Sequence, residues 1–196
     1  MKRLITFLLL LLLMPTIVFA KEPTSMTLEE ALKEEKIEYD LEGYEESDEK
    51  PTIYLFRGKG CSHCYEFLEY VSSSLVKDYG DKFKMVTYEV WNNEENAKLM
   101  EQVSEYLGDD ASGVPYIVIG DKSFNGYAES MNDEITDAID KLADSDEKYD
   151  VLEKMESAPK KESKKSSKSS STITIVFMLF AAVGLTVLIV TSLKRK

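Results

Sequence analysis

The stretch from Arg57 to Phe67, Arg-Gly-Lys-Gly-Cys-Ser-His-Cys-Tyr-Glu-Phe, constrains this chain more than any other. It holds both cysteines and the only histidine of the 196 residues. An apolar, strand-like run, Ile53-Tyr54-Leu55-Phe56, leads into it. After it, Cys64, Phe67, Leu68, Val71 and Leu75 recur at spacings of three and four, which is one face of a helix. The cysteines therefore sit where a strand ends and a helix begins. Unpaired N–H groups at a helix start favour a thiolate, so Cys61 is the candidate reactive sulfur and Cys64 lies one turn further in.

Three chemistries compete for a Cys-x-x-Cys. A structural staple is the first. Disulfide stabilisation grows with loop length, reaching about 3 kcal/mol for roughly 15 residues, so a bridge across two residues constrains the unfolded chain little. Zinc is the second. Cys61, His63 and Cys64 supply at most three ligands, and a structural zinc site takes four. The third, a reversible redox pair, fits the spacing best.

Both ends of the chain carry apolar segments. Met1-Lys2-Arg3 is basic, Leu4 to Ala20 is apolar apart from Thr6, Pro15 and Thr16, and Val18-Phe19-Ala20 suits a cut after Ala20. This is the pattern of a secretory signal peptide. An uncleaved anchor is the alternative, and either one exports the middle of the chain. Thr172 to Leu193 has no charged residue and is followed by Lys194-Arg195-Lys196. A run of about 20 apolar residues spans a bilayer, and a basic flank marks its cytoplasmic side. The lysines at 160, 161, 164, 165 and 168 then fall on the outer side, against the positive-inside tendency, but an upstream signal already dictates export. Between Lys21 and Asp150 there are 13 Lys/Arg and 33 Asp/Glu, a net charge of −20. That balance excludes nucleic acid as a partner and repels anionic lipid.

In chain order, Pro23 to Ile37 predicts a helix, with Thr27-Leu28-Glu29-Glu30 in capping-box form. Residues 38–50 form an acidic loop. Thr52–Phe56 is a strand apolar on both faces, as a central strand is. The helix from Cys61 ends near Tyr79 at Gly80. Phe83–Trp91 is the next strand, and Asn92 or Asn93 caps a helix over Glu94–Leu107 that Gly108 stops. After Val114-Pro115 comes a buried strand, then a turn at Gly120-Asp121, a short strand over Lys122–Asn125, and a helix over Glu129–Leu142. Ser157 to Ser171 is almost all lysine and serine and cannot pack a core. Strands alternating with helices predict parallel pairing with covered faces, and the late hairpin predicts an antiparallel edge.

From about Pro51 to Leu142 the chain resembles the thioredoxin superfamily. Cys61-Ser62-His63-Cys64 at a strand–helix junction carries the resemblance, together with Val114-Pro115 before an apolar strand about 50 residues later. The resemblance implies an α/β thioredoxin-like fold, a mixed central sheet with helices on both faces, joined here to a C-terminal transmembrane helix. It implies a cis Val114-Pro115 bond packed against the disulfide. It implies Cys61 as attacking thiol, Cys64 as resolving thiol, and His63 as a group that stabilises the Cys61 thiolate. Ser62, Val114 and Pro115 become the substrate-binding positions, and no bound cofactor is required. Three features depart from the family. Gly60 stands where tryptophan is common, Ser-His replaces Gly-Pro, and Leu55 replaces a buried acid that assists the resolving thiol. Lys59 is a candidate for electrostatic help to the thiolate, and Glu89 a candidate substitute for that acid.

The expected organisation is a signal peptide over 1–20, an N-terminal helix and acidic loop over 21–50, and a thioredoxin-like domain over 51–150. A Lys/Ser-rich linker over 151–171, a transmembrane helix over 172–193 and a cytoplasmic tail over 194–196 complete it. The leading expectation is a single-pass protein of the cell membrane, its domain outside the cytoplasm, exchanging disulfides with protein thiols or disulfides there and with a membrane redox partner. The rival is a thioredoxin-fold accessory or binding module whose cysteines are incidental. A lumenal isomerase has the same topology, but Leu193-Lys194-Arg195-Lys196 lacks a paired-lysine retrieval pattern, which favours a bacterial surface. Protease added to intact cells or spheroplasts is expected to remove the domain and leave a small membrane-bound C-terminal stub. Full protection of the domain would overturn the exported topology.

Overall fold

The computed structural model describes residues 22–145 and 149–158. The segments assigned to the signal peptide and the transmembrane helix lie outside the described residues, as do 159–171 of the linker. Among the described residues no helix is long and apolar enough to cross a membrane.

The chain opens with a two-residue strand, β1 (Met26–Thr27), and helix α1 (Leu28–Glu35). The Thr27 hydroxyl accepts the Glu30 N–H, and the Glu30 carboxylate accepts the Thr27 N–H, which is the capping box read in the sequence. Strand β2 (Thr52–Arg57) comes after the acidic loop. The helix beyond it has three parts: α2 (Ser62–Tyr70), a π-helical turn (Val71–Leu75) and α3 (Val76–Tyr79). The periodicity predicts one unbroken α-helix. The π turn inserts where three serines come after Val71, and the Ser72 hydroxyl donates to the Glu69 carbonyl, a local bond that competes with the helical ladder.

Strand β3 (Lys84–Glu89) leads to α4 (Glu94–Leu107), whose N-cap is Asn93 and which ends at Gly108. Strands β4 (Tyr116–Ile119) and β5 (Lys122–Asn125) form the hairpin. A 3-10 turn (Glu129–Met131) runs into α5 (Asn132–Ala143). A last helix, α6 (Val151–Ser157), occupies the first residues of the stretch assigned to the linker. Asp150 caps it, and the same carboxylate accepts the Tyr54 hydroxyl at 2.7 Å.

The five strands form one mixed sheet in the order β1-β3-β2-β4-β5. Strands β2 and β3 are parallel. The pairs β1–β3, β2–β4 and β4–β5 are antiparallel. Alternation predicts more parallel pairing, but β4 runs against β2, so the antiparallel part reaches the centre of the sheet. The architecture is compatible with a thioredoxin-like fold.

Successive residues of β2 point to opposite faces. Ile53 and Leu55 join Leu28, Leu32, Phe67, Leu68, Phe83 and Ile139 on one side, under α1, α2 and α5. Tyr54 and Phe56 join Tyr88, Val103, Tyr116 and Val118 on the other, under α4 and α6. All six residues of β2 are buried, which explains its unbroken apolar run.

One polar side chain locks the second face. Asn96 is buried on α4. Its amide donates to the Thr24 and Glu89 carbonyls, each at 2.9 Å, and its oxygen accepts the Thr24 N–H at 2.8 Å. Asn96→Ala strands the Glu89 carbonyl and is expected to lower stability by about 1–3 kcal/mol, read as a lower urea midpoint.

Candidate active site: a disulfide at the head of a helix

Strand β2 stops at Arg57, and Gly58-Lys59-Gly60 turns the chain into α2. Gly60 has φ 77°, a conformation that glycine adopts without strain. The turn closes through the Cys61 N–H, which donates to the Gly58 carbonyl at 3.1 Å. Cys61 is the N-cap of α2, and its sulfur accepts the Cys64 N–H at 3.2 Å. A helix N-terminus leaves such N–H groups free, and here one points at the sulfur that a thiolate would occupy. The helix start expected at Cys61 is therefore also a hydrogen bond to its side chain.

Cys61 and Cys64 are joined as a disulfide, their Cα atoms 5.2 Å apart. Cys61 is 8% exposed and Cys64 1%. What solvent reaches the pair reaches Cys61. The Val114 carbonyl oxygen lies 3.7 Å from the Cys61 sulfur, and the Val114-Pro115 bond is cis. Pro115 is buried, and its carbonyl accepts the Gly126 N–H at 2.8 Å, which ties this loop to the end of the hairpin. Cys61, Cys64 and Val114, about fifty residues apart in sequence, thus meet at one point.

His63 and Ser62 lie on the exposed rim. The His63 Nδ1 is 3.1 Å from a Glu66 carboxylate oxygen one turn along the helix. That carboxylate, and not a cysteine, is its hydrogen-bond partner.

The residues that hold the turn do not stand out in the sequence. Arg57 is fully buried, as an arginine almost never is unless it is paired. Its guanidinium bonds Glu35 at 3.0 Å and also Glu34, both at the end of α1, and lies 3.3 Å from the Met26 sulfur. Its Nε is buried with no hydrogen-bond partner among the described residues. Both oxygens of Glu35 accept the Gly60 N–H, at 3.2 and 3.3 Å, and Glu34 also takes the Lys59 ammonium at 3.1 Å. Segment 21–50 therefore reaches the residue next to Cys61. A charged residue closing an apolar strand, and paired glutamates closing an amphipathic helix, are the signals that could have found them.

Burial opposes ionisation of Glu34, but the bonds from Arg57 and Lys59 outweigh it and hold its carboxyl below the ordinary value. That stabilisation is present above the ordinary carboxylate pKa and is lost as the pH falls through the lowered one. Glu89, considered on sequence grounds in place of a buried acid at position 55, bonds backbone instead. It accepts the N–H groups of Lys59, Trp91 and Asn92.

Compared with family models, with curated proteins and with solved structures, the chain gives no match.

Removing one partner of a buried ion pair leaves the other charge uncompensated and costs about 3–5 kcal/mol. Arg57→Leu is expected to lose that much in urea unfolding, because it takes the ion-pair partner from Glu35 in a nearly closed site. Adding Glu34→Gln and Glu35→Gln to Arg57→Leu is expected to restore most of it.

Proposed function

We propose that the protein is a thiol–disulfide oxidoreductase held at the outer face of a membrane by its segment 172–193, and that Cys61 exchanges disulfides with protein substrates. The observation that carries this reading is the Cys61 sulfur at the head of α2, bonded by the Cys64 N–H and facing the Val114 carbonyl. A structural bridge has no use for that placement.

The exchange proceeds in two displacements. A substrate thiolate attacks the Cys61 sulfur, the Cys61–Cys64 bond breaks, and Cys64 leaves as a thiolate that takes up a proton. A second substrate thiolate attacks the substrate sulfur of the mixed disulfide, and Cys61 leaves. Two electrons pass from substrate to protein, and the substrate gains the disulfide. The same steps in reverse reduce a substrate disulfide, with Cys61 attacking and Cys64 resolving. The helix N–H groups stabilise the Cys61 thiolate, which makes Cys61 the better leaving group when the substrate is oxidised and raises the fraction of attacking thiolate when a substrate disulfide is reduced. A positive charge on His63 would add to this from the rim, with Glu66 opposing it. The cis Val114-Pro115 loop, against the sulfur, is the place for the substrate backbone, with Ser62 exposed next to Cys61. A redox partner outside the cytoplasm or in the membrane returns the pair to its starting state.

With the disulfide reduced, Cys61 is expected to titrate below the free value of about 8.5, read from alkylation rate against pH. Cys64→Ser is expected to accumulate mixed disulfides through Cys61, and Cys61→Ser none. His63→Ala is expected to make the pair less oxidising in equilibration with glutathione. A Cys61 titrating at the free value, with no species trapped in either mutant, would replace this reading with that of an accessory module.

A further inference from the structure

Trp91 is the only tryptophan of the chain, and it is 59% exposed. Its backbone is nevertheless fixed. The Trp91 N–H donates to Glu89 at 3.0 Å, the Asn92 N–H donates to the same carboxylate at 2.9 Å, and the Asn92 side-chain amide does so at 3.2 Å. Glu89 also accepts the Lys59 N–H at 3.3 Å, so one carboxylate joins the loop after β3 to the turn before Cys61.

The indole ring lies on that turn. A Cβ at position 58 would collide with its Cδ2, Cε2 and Cε3, so only glycine admits the ring there. The carbonyl of that same Gly58 accepts the Cys61 N–H. The ring rests on the backbone that positions the reactive sulfur, and the rest of it faces water. An aromatic left exposed and held in place beside a reactive group has the character of a binding platform, not of a core residue.

The charges around it select a partner. The cations of the turn are already matched, Arg57 by Glu34 and Glu35, and Lys59 by Glu34. Glu89 meets N–H groups, and Glu94, three residues beyond Trp91, pairs with Lys98 at 3.2 Å while 83% of its side chain stays exposed. The segment 21–150 carries a net charge of −20. A negative surface draws in cationic segments, and the face of an indole binds a guanidinium or ammonium.

We infer that Trp91 is a docking residue for substrate segments that carry arginine or lysine beside their cysteine, with the cation on the exposed indole face while the substrate sulfur meets Cys61. The inference rests on the oxidoreductase reading and narrows its substrates to basic polypeptides.

The test uses the full chain in detergent, reduced, with single-cysteine peptides bearing a thiopyridine disulfide and flanked by arginine or by glutamate. The wild type is expected to react faster with the arginine peptide, by a margin that shrinks as salt is added. Trp91→Ala is expected to lower the arginine-to-glutamate rate ratio by about two- to fivefold, the strength of an exposed cation–π contact, and Trp91→Phe to recover part of it. Tyr106→Ala, which removes another exposed aromatic, is expected to leave the ratio unchanged. An arginine peptide with serine in place of cysteine is expected to shift the fluorescence of Trp91 without reaction. Equal rates for the two peptides, or a ratio untouched by Trp91→Ala, would overturn the inference while exchange itself continues. Failure of the wild type to react even with the small neutral bis(2-hydroxyethyl) disulfide would overturn the oxidoreductase reading, and the inference with it.

Discussion

The charge on Arg57 has no water to meet it. It sits at the end of the central strand, fully buried, and the carboxylates of Glu34 and Glu35 compensate it. Desolvating such a group costs several kcal/mol, so the partners have to be in place whenever the chain is folded. That requirement pins the end of α1 against the end of β2. It also places Glu35 where it accepts the Gly60 N–H, which sets the entry of the chain into Cys61. The geometry of the Cys61–Cys64 pair thus depends on an ionic contact made by the end of α1.

Around that contact the sheet does the rest. β2 pairs with β3 on one side and β4 on the other, so the connections at the end of β3 and the start of β4 both arrive near its own end. The loop after β3 brings Glu89 and Trp91 against the Gly58 turn. The loop before β4 brings Val114 to the Cys61 sulfur. The two apolar clusters, one on each face, hold β2 rigid beneath them. A site built from the ends of packed strands keeps its donors and acceptors aimed without reorganisation.

Much of this was legible in the residues, and for local reasons. Thr27 and Glu30 form the capping box that their spacing predicts, and Asn93 caps α4 while Gly108 ends it. The apolar run of β2 announced a strand covered on both faces. Other features stayed hidden. The π turn depends on how Val71 and Leu75 meet the core while serines between them compete for backbone bonds. Strand β1 is two residues long and exists through its pairing with β3. Helix α6 has Val151 as its only fully buried residue, and its cap, Asp150, is held by Tyr54 from 96 residues away.

What the sequence alone determined about this protein is local: the Cys-Ser-His-Cys stretch at a strand–helix junction, the caps, the acidic balance and the apolar segments at both ends. Each comes from neighbours along the chain, where spacing is geometry. The tertiary structure decided which groups stand beside the sulfur. Glu34 and Glu35 look like solvated carboxylates in the sequence, and Trp91 like the end of a strand. Their roles come from Arg57 and Gly58, which meet them only after folding. A buried charge and a missing Cβ each require a partner, but nothing along the chain says from which element that partner comes.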